Sequence, residues 1–141
     1  MSNFELVEYE FEEKPNQEFL DFMKELYKDF KHTASYLEAI KKIKSSENPS
    51  FKYIKIKNFI GYDGEKIIGH ISAMIDKRFA ENIGLIGFYE CLDNTELSKA
   101  LIERAVNYLK ESNCNIIRAP IDLTIWHHYR FVVDQKDTFI L

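Results

Sequence analysis

Residues 83–111 decide the fold, and they read IGLIGFYECLDNTELSKALIERAVNYLKE. The first ten of these residues are nearly all apolar, which is typical of a central strand covered on both faces. From Asp93 onward, apolar residues recur at spacings of three and four, which predicts an amphipathic helix that ends at Glu111. A short strand over residues 115–119, closed by Pro120, follows this helix.

The segments before residue 83 complete a mixed α/β pattern. Alternation over residues 4–12 predicts a strand with one wet face, and two helices follow, the first with Asn16 as its expected N-cap. Residues 51–62 and 67–76 are strand-like, and Asp63-Gly64 between them predicts a type I′ hairpin turn. The predicted order is strand, two helices, three antiparallel-type strands, helix and strand, in a single domain over residues 1–141.

The composition and charge of the chain limit the classes of function that it can have. The chain has 141 residues, 45% of them apolar and 30% charged, which suits one globular domain. No apolar run approaches the ~20 residues of a membrane span, and the acidic start argues against a signal peptide. The net charge of −4 argues against a nucleic-acid surface. The distant Cys91 and Cys114 predict reduced thiols, so we expect a cytoplasmic protein.

Several short segments, which span about residues 50–135, have a recognisable pattern: DGEKIIGHI (63–71), GLIGFYE (84–90), Ala100-Leu101-Ile102 with Ala105, Ala119-Pro120 and Phe131–Asp134. They resemble the GNAT (GCN5-related) N-acetyltransferase family, and in particular the N-terminal part of longer, uncharacterised bacterial GNAT-like proteins. The resemblance implies an α/β fold, with a mixed, mostly antiparallel sheet flanked by helices. It implies further that residues 1–141 lack the final helix and closing hairpin, so that an exposed sheet edge would favour a homodimer.

The resemblance also implies a site. Acetyl-CoA would be the cosubstrate, with its pantetheine arm along Tyr89, Cys91 and Leu92 and its pyrophosphate at the helix start near Ser98 and Lys99. An acyl group would pass to an amine of an unknown small-molecule or peptide acceptor. In the family a carboxylate near the position of Glu90 removes the amine proton, so the resemblance implies that Glu90 is the catalytic base. Alternation along the strand places Glu90 on one face with Phe88 and Ile86, where burial would raise its pKa. The alternative for Glu90 is a structural carboxylate that is hydrogen-bonded at a bulge.

The helix-start turn departs from the family pattern, because acids stand where that family has a basic residue and glycines. Asp93 and Glu96 resemble a variant capping box, with Asp93 as the N-cap. Such acids at ~5 Å from a phosphate would repel it by a few kcal/mol, which weakens CoA binding about a hundredfold. The second hypothesis is therefore a catalytically inactive GNAT-like binding or assembly module.

Other reactive residue types have plainer interpretations. His127 and His128 are adjacent and point in different directions, so we expect packed side chains rather than a metal site. His70 is expected to be a packed strand residue rather than a catalytic one, and Cys91 a buried thiol rather than a nucleophile. The lysines predict a solvated face, with a basic stripe as the alternative: Lys41, Lys42, Lys44, Lys52, Lys55 and Lys57.

Overall fold

A computed structural model describes residues 3–79 and 82–123 as a sheet between two helical layers. The predictions made for His127, His128 and Phe131–Asp134 lie outside these ranges. In chain order, the elements are β1 (Glu5–Tyr9), α1 (Glu13–Leu26), α2 (Thr33–Lys44), a 3₁₀ turn (Pro49–Lys52), β2 (Ile54–Asp63), β3 (Lys66–Asp76), β4 (Ile83–Cys91), α3 (Thr95–Glu111) and β5 (Ile116–Arg118).

The five strands lie side by side in chain order. The pairs from β1 to β4 are antiparallel, whereas β4 and β5 are parallel, with α3 as the crossover between them. The parallel pairing joins only Ile83–Leu85 to Ile116–Arg118. The predicted mixed, mostly antiparallel sheet is therefore confirmed, and β4 continues well beyond its pairing with β5.

Each face of the sheet carries its own apolar core. Helices α1 and α2 pack on one face, through residues such as Phe19 and Ile40. Helix α3 packs on the other face through Leu97, Leu101, Ala105 and Leu109. This helix lies very close to β3, because a Cβ on Gly69 would stand 2.9 Å from a methyl carbon of Leu101. Among the residues described, no helix is long and apolar enough to cross a membrane.

The β2–β3 hairpin has a different turn from the predicted one. Asp63 pairs with Lys66, so the two-residue loop is Gly64-Glu65 rather than Asp63-Gly64. Gly64 has a φ of 63°, and it is the only residue of the loop with a positive φ. This is the pattern of a type II′ turn, which requires positive φ only at its first central position. The predicted type I′ turn is therefore wrong.

Helix α1 begins three residues earlier than Asn16. It starts at Glu13 after Glu12, which makes no side-chain cap bond, and so Pro15 lies within the first turn. Proline is tolerated there because the first N–H groups of a helix have no partner inside the helix. The prediction of Asn16 as N-cap is wrong.

Candidate active site

A bulge near the end of β4 decides which way its last side chains point. Two steps along β3, from His70 to Ser72, match three steps along β4, from Glu90 back to Gly87. The extra residue reverses the alternation of side chains, and Phe88 has a φ of 47°. Phe88 therefore packs with the α1–α2 core, and Glu90 points to the same side.

The bulge corrects one detail of the sequence prediction. Glu90 was expected to share a face with Phe88 and Ile86. It does share the face of Phe88, whereas Ile86 packs in the α3 core together with Tyr89 and Cys91. Without the extra residue, strict alternation would direct Glu90 at α3 as well.

The Glu90 carboxyl is held by a tyrosine that directly follows α1. The Tyr27 hydroxyl donates a hydrogen bond of 2.5 Å to Glu90 Oε2. The Tyr27 ring also lies against the rings of Phe30 and Tyr36, with centroids 5.7 and 6.3 Å away. Burial raises the pKa of Glu90 to about 7; the Tyr27 bond opposes this shift, and the charge of Asp122 adds to it. Glu90 can therefore both take up and release a proton near neutral pH.

A second carboxyl, that of Asp122, is hydrogen-bonded to the bulge itself. The Phe88 N–H donates to Asp122 Oδ1 at 2.6 Å, and burial raises the pKa of Asp122 to about 6. The segment that carries Asp122 follows β4 closely, because the Ile121 N–H donates to the Ile86 carbonyl. A Cβ on Gly87 would lie 2.0 Å from the Ile121 carbonyl oxygen, so only glycine fits at this position.

The end of β4 offers backbone groups on the side away from β3. The Leu92 N–H donates to the Ile68 carbonyl at 3.0 Å. Because ladder bonds involve alternate residues, the backbone of Glu90 also faces β3, whereas the polar groups of Tyr89 and Cys91 face the opposite side. That side lies past the last β4–β5 pair, Leu85 with Arg118.

The N-cap of helix α3 lies one residue after the predicted Asp93. Asn94 is the N-cap, and its side chain accepts a bond of 3.1 Å from the Leu97 N–H. The prediction of Asp93 as N-cap is therefore wrong by one position. Asp93 and Glu96 are both exposed at the surface, where solvent and salt weaken their repulsion of a phosphate.

The remaining predicted binding residues differ in their surroundings. The amide of Ser98 donates to the Asn94 carbonyl, and its hydroxyl lies 2.7 Å from the Tyr89 hydroxyl. Lys99 is exposed on the same turn of α3. Burial raises the pKa of the Cys91 thiol, which disfavours the thiolate that a nucleophile requires. Within residues 3–79 and 82–123, no three His, Cys, Asp or Glu side chains form a group that suits a metal ion.

The sequence prediction missed a buried lysine under the α1–α2 layer. Lys44 is only 3% exposed, and its Nζ donates to the Tyr9 hydroxyl at 2.9 Å and to Asn58 Oδ1 at 3.3 Å. Burial holds the Lys44 pKa well below its ordinary value. The prediction of a solvated face is wrong for Lys44. Its position four residues after the buried Ile40, on the apolar stripe of α2, is the signal that indicated burial.

The fold is that of the GNAT acetyltransferases. A GNAT-family acetyltransferase from Staphylococcus aureus matches 82% of this chain and 71% of its own, at 16% identity and a TM-score of 0.55. An acetyltransferase from Streptococcus agalactiae gives a TM-score of 0.56 at 16% identity, over 83% of this chain and 72% of its own. An aminoglycoside acetyltransferase from an uncultured soil sample, in complex with sisomicin, matches 97% of both chains at 13% identity, with a TM-score of 0.57.

Similarity to a curated protein sequence covers a smaller part of the chain than the structural similarity does. Protein YghO of Escherichia coli is 26% identical over 98 residues, which make up 67% of this chain and 25% of YghO. The match thus spans a quarter of the length of that relative. No protein-family model matches the chain.

Proposed function

We propose that the chain is a GNAT-like acyltransferase that moves an acetyl or other acyl group from acyl-CoA to an amine. The observation that carries the proposal is the Glu90 carboxyl, which lies on the bulged end of β4 with a pKa near 7. A base of this pKa is suited to work at neutral pH. The likeness to an aminoglycoside acetyltransferase supports a small-molecule amine as acceptor. Because acyl-CoA is the donor, a cytoplasmic location belongs to the proposal.

The proposed reaction places one proton transfer on the protein. The amine nitrogen attacks the thioester carbonyl carbon, so that a C–N bond forms and the C–S bond breaks. Glu90 takes the amine proton, directly or through one water, and later releases it to solvent. The CoA thiolate leaves and takes up a proton from solvent. The Tyr27 hydroxyl orients the Glu90 carboxyl. The outward backbone groups of Tyr89 and Cys91 would pair with the pantetheine arm, and the start of α3 would receive the pyrophosphate.

Replacement of the proposed base tests the chemistry. Thiol release from acetyl-CoA is followed at pH 8 with a panel of primary amines, for the unaltered protein and for Glu90→Gln. We expect turnover to fall about a hundredfold in the variant, since general base catalysis contributes on this scale. Acetyl-CoA affinity should stay the same. Glu65→Gln, on the exposed hairpin turn, is the matched control. Equal turnover in Glu90→Gln and the control would overturn the assignment.

A second candidate function is a binding or assembly module without catalysis. Two observations favour it. The Phe88 N–H at the bulge already donates to Asp122, so this donor is occupied within the protein. No glycine occurs between Asp93 and Ser98, where the GNAT pattern has glycines at the phosphate turn. Calorimetry on the double variant Asp93→Gln, Glu96→Gly separates the candidates. For the enzyme we expect acetyl-CoA affinity to rise about tenfold, because two surface acids are removed from an anion site. If neither the unaltered protein nor the double variant binds acetyl-CoA at millimolar ligand, the function as a binding or assembly module is favoured.

A further inference from the structure

The direction of Glu90 depends on one unusual backbone conformation. Phe88 has a φ of 47°, a left-handed conformation that is unfavourable for a residue with a side chain. The bulge at Phe88 sends the next side chain, that of Tyr89, to α3 and Glu90 to Tyr27. Surrounding contacts must therefore hold Phe88 in this conformation, or Glu90 would not reach its partner.

Both polar groups of the Phe88 backbone are held by side chains from other elements. The Phe88 N–H donates to Asp122. The Phe88 carbonyl oxygen lies 2.8 Å from His70 Nδ1, on β3. His70 is 0% exposed, and so water cannot easily replace this bond. Loss of the His70 donor would leave the buried Phe88 carbonyl without a hydrogen bond, which destabilises this backbone conformation.

The surroundings of His70 determine which of its nitrogens carries the proton. A carbonyl oxygen only accepts, so Nδ1 must donate to Phe88, and Nε2 must then be the acceptor in the neutral ring. Nε2 lies 2.8 Å from the Tyr9 hydroxyl and 3.2 Å from Lys44 Nζ. Burial, together with the Lys44 charge, keeps the His70 pKa well below its ordinary value, which favours the neutral ring.

The orientation of the ring is fixed as well as its tautomer. The Phe19 ring of α1 stacks on the His70 imidazole, with centroids 3.7 Å apart and planes 17° apart. Tyr9 comes from β1 and Lys44 from α2, so side chains from three separate elements surround the imidazole. These contacts direct the Nδ1–H at Phe88 and leave the ring little freedom to turn.

We propose that His70 is a positioning residue, whose Nδ1–H holds the left-handed Phe88 backbone so that Glu90 is directed at Tyr27. Tyr9 and Lys44 support this role, because they hold the tautomer that donates from Nδ1. The catalytic consequence rests on the proposed function of Glu90. The structural part, from His70 through Phe88 to the direction of Glu90, does not depend on the reaction.

Two isosteric variants separate the two nitrogens of His70. His70→Asn places an amide N–H where Nδ1 stands and removes the contact of Nε2 with Tyr9. His70→Gln reaches toward Tyr9 and removes the donor to Phe88. Both variants are neutral, and both lose the ring that stacks on Phe19. A purely structural role would affect them alike, whereas the positioning role predicts that only His70→Gln releases the bulge.

The readouts are the Glu90 pKa, from carboxyl ¹³C NMR, and the Phe88 backbone shifts, which report its φ. In His70→Gln we expect the Glu90 pKa to fall from about 7 toward its ordinary 4.5, and Phe88 to leave the left-handed region. His70→Asn should keep both values. If His70→Gln keeps both, or if both variants change equally, the proposal is wrong. Since neither readout uses acetyl-CoA, this failure is distinct from failure of the proposed function.

If the protein has the proposed acyltransferase activity, the kcat values of the two His70 variants give a second comparison. His70→Gln should then lose about a hundredfold in kcat, the loss that is also expected for Glu90→Gln, whereas His70→Asn should retain most of it. Should neither variant fold, the unaltered protein still decides. Long-range ¹H–¹⁵N spectra at pH 7 should show a neutral His70 with its proton on Nδ1. A proton on Nε2, or on both nitrogens, would overturn the proposal.

Discussion

Replacement of Tyr27 by Phe should raise the pKa of Glu90. Phe keeps the ring and its burial of the carboxyl, and removes only the hydroxyl that donates to Glu90 Oε2 at 2.5 Å. A hydrogen bond to a charged group contributes about 1.5–3 kcal/mol. At 1.36 kcal/mol per unit, its loss corresponds to about one to two pKa units. Because the bond favours the carboxylate, the pKa should move upward from about 7 to about 8 or 9.

The assay is a ¹³C NMR titration of the Glu90 side-chain carboxyl, which is assigned by its absence in Glu90→Gln. Tyr53→Phe is the matched control, because Tyr53 is exposed and its ring packs against Arg78 instead. In Tyr27→Phe the pH profile of turnover should shift upward together with the titration. A Glu90 pKa that stays within about 0.3 units of the unaltered protein, or falls, would show that the Tyr27 hydroxyl does not stabilise the carboxylate.

Three further predictions concern stability, each measured by urea unfolding. Glu90→Gln should stabilise the fold by about 3 kcal/mol above pH 7 and hardly at all near pH 4. The reason is that the Glu90 carboxyl binds its proton more tightly in the folded protein than in the unfolded one. The unaltered protein therefore loses stability as the pH rises from 4.5 to about 7. An equal gain at both pH values would contradict this. Asn94→Ala should cost about 1 kcal/mol and Asp93→Ala less than about 0.5, because Asn94 is the cap; the reverse order would contradict the assignment. Gly69→Ala should cost about 1–3 kcal/mol, since the new Cβ meets the buried Leu101, and no loss would show that α3 can shift.

Long periodic segments could be predicted from the sequence. The alternation in β3 and the three-and-four spacing in α3 both depend on burial of one face, and burial determines the pattern in the sequence. The resemblance to the GNAT family, carried mainly by residues 84–90, is confirmed at the level of the fold. The position of Glu90 at the end of that strand is described by the structure, whereas its role as base remains a prediction.

The details that determine the site could not be predicted, because they depend on contacts between distant segments. Period-two alternation cannot reveal a bulge, so the face of Glu90 relative to Ile86 was predicted wrongly. Lys44 is buried because Tyr9 and Asn58, from β1 and β2, supply its partners. Asp122 reaches Phe88 only through the turn that follows β5. The bulge and the Asp122 contact leave no local pattern in the sequence, whereas the burial of Lys44 is indicated only by its place on the apolar stripe of α2.

Calorimetric titration of the unaltered chain with acetyl-CoA tests whether this protein is an acyltransferase. We expect saturable binding at submillimolar ligand, with free CoA as a competitor for the same site. Affinity should decline as salt rises, because part of it comes from the phosphates. An absence of binding at millimolar acetyl-CoA would contradict the claim that this fold, with Glu90 at the end of β4, serves acyl transfer.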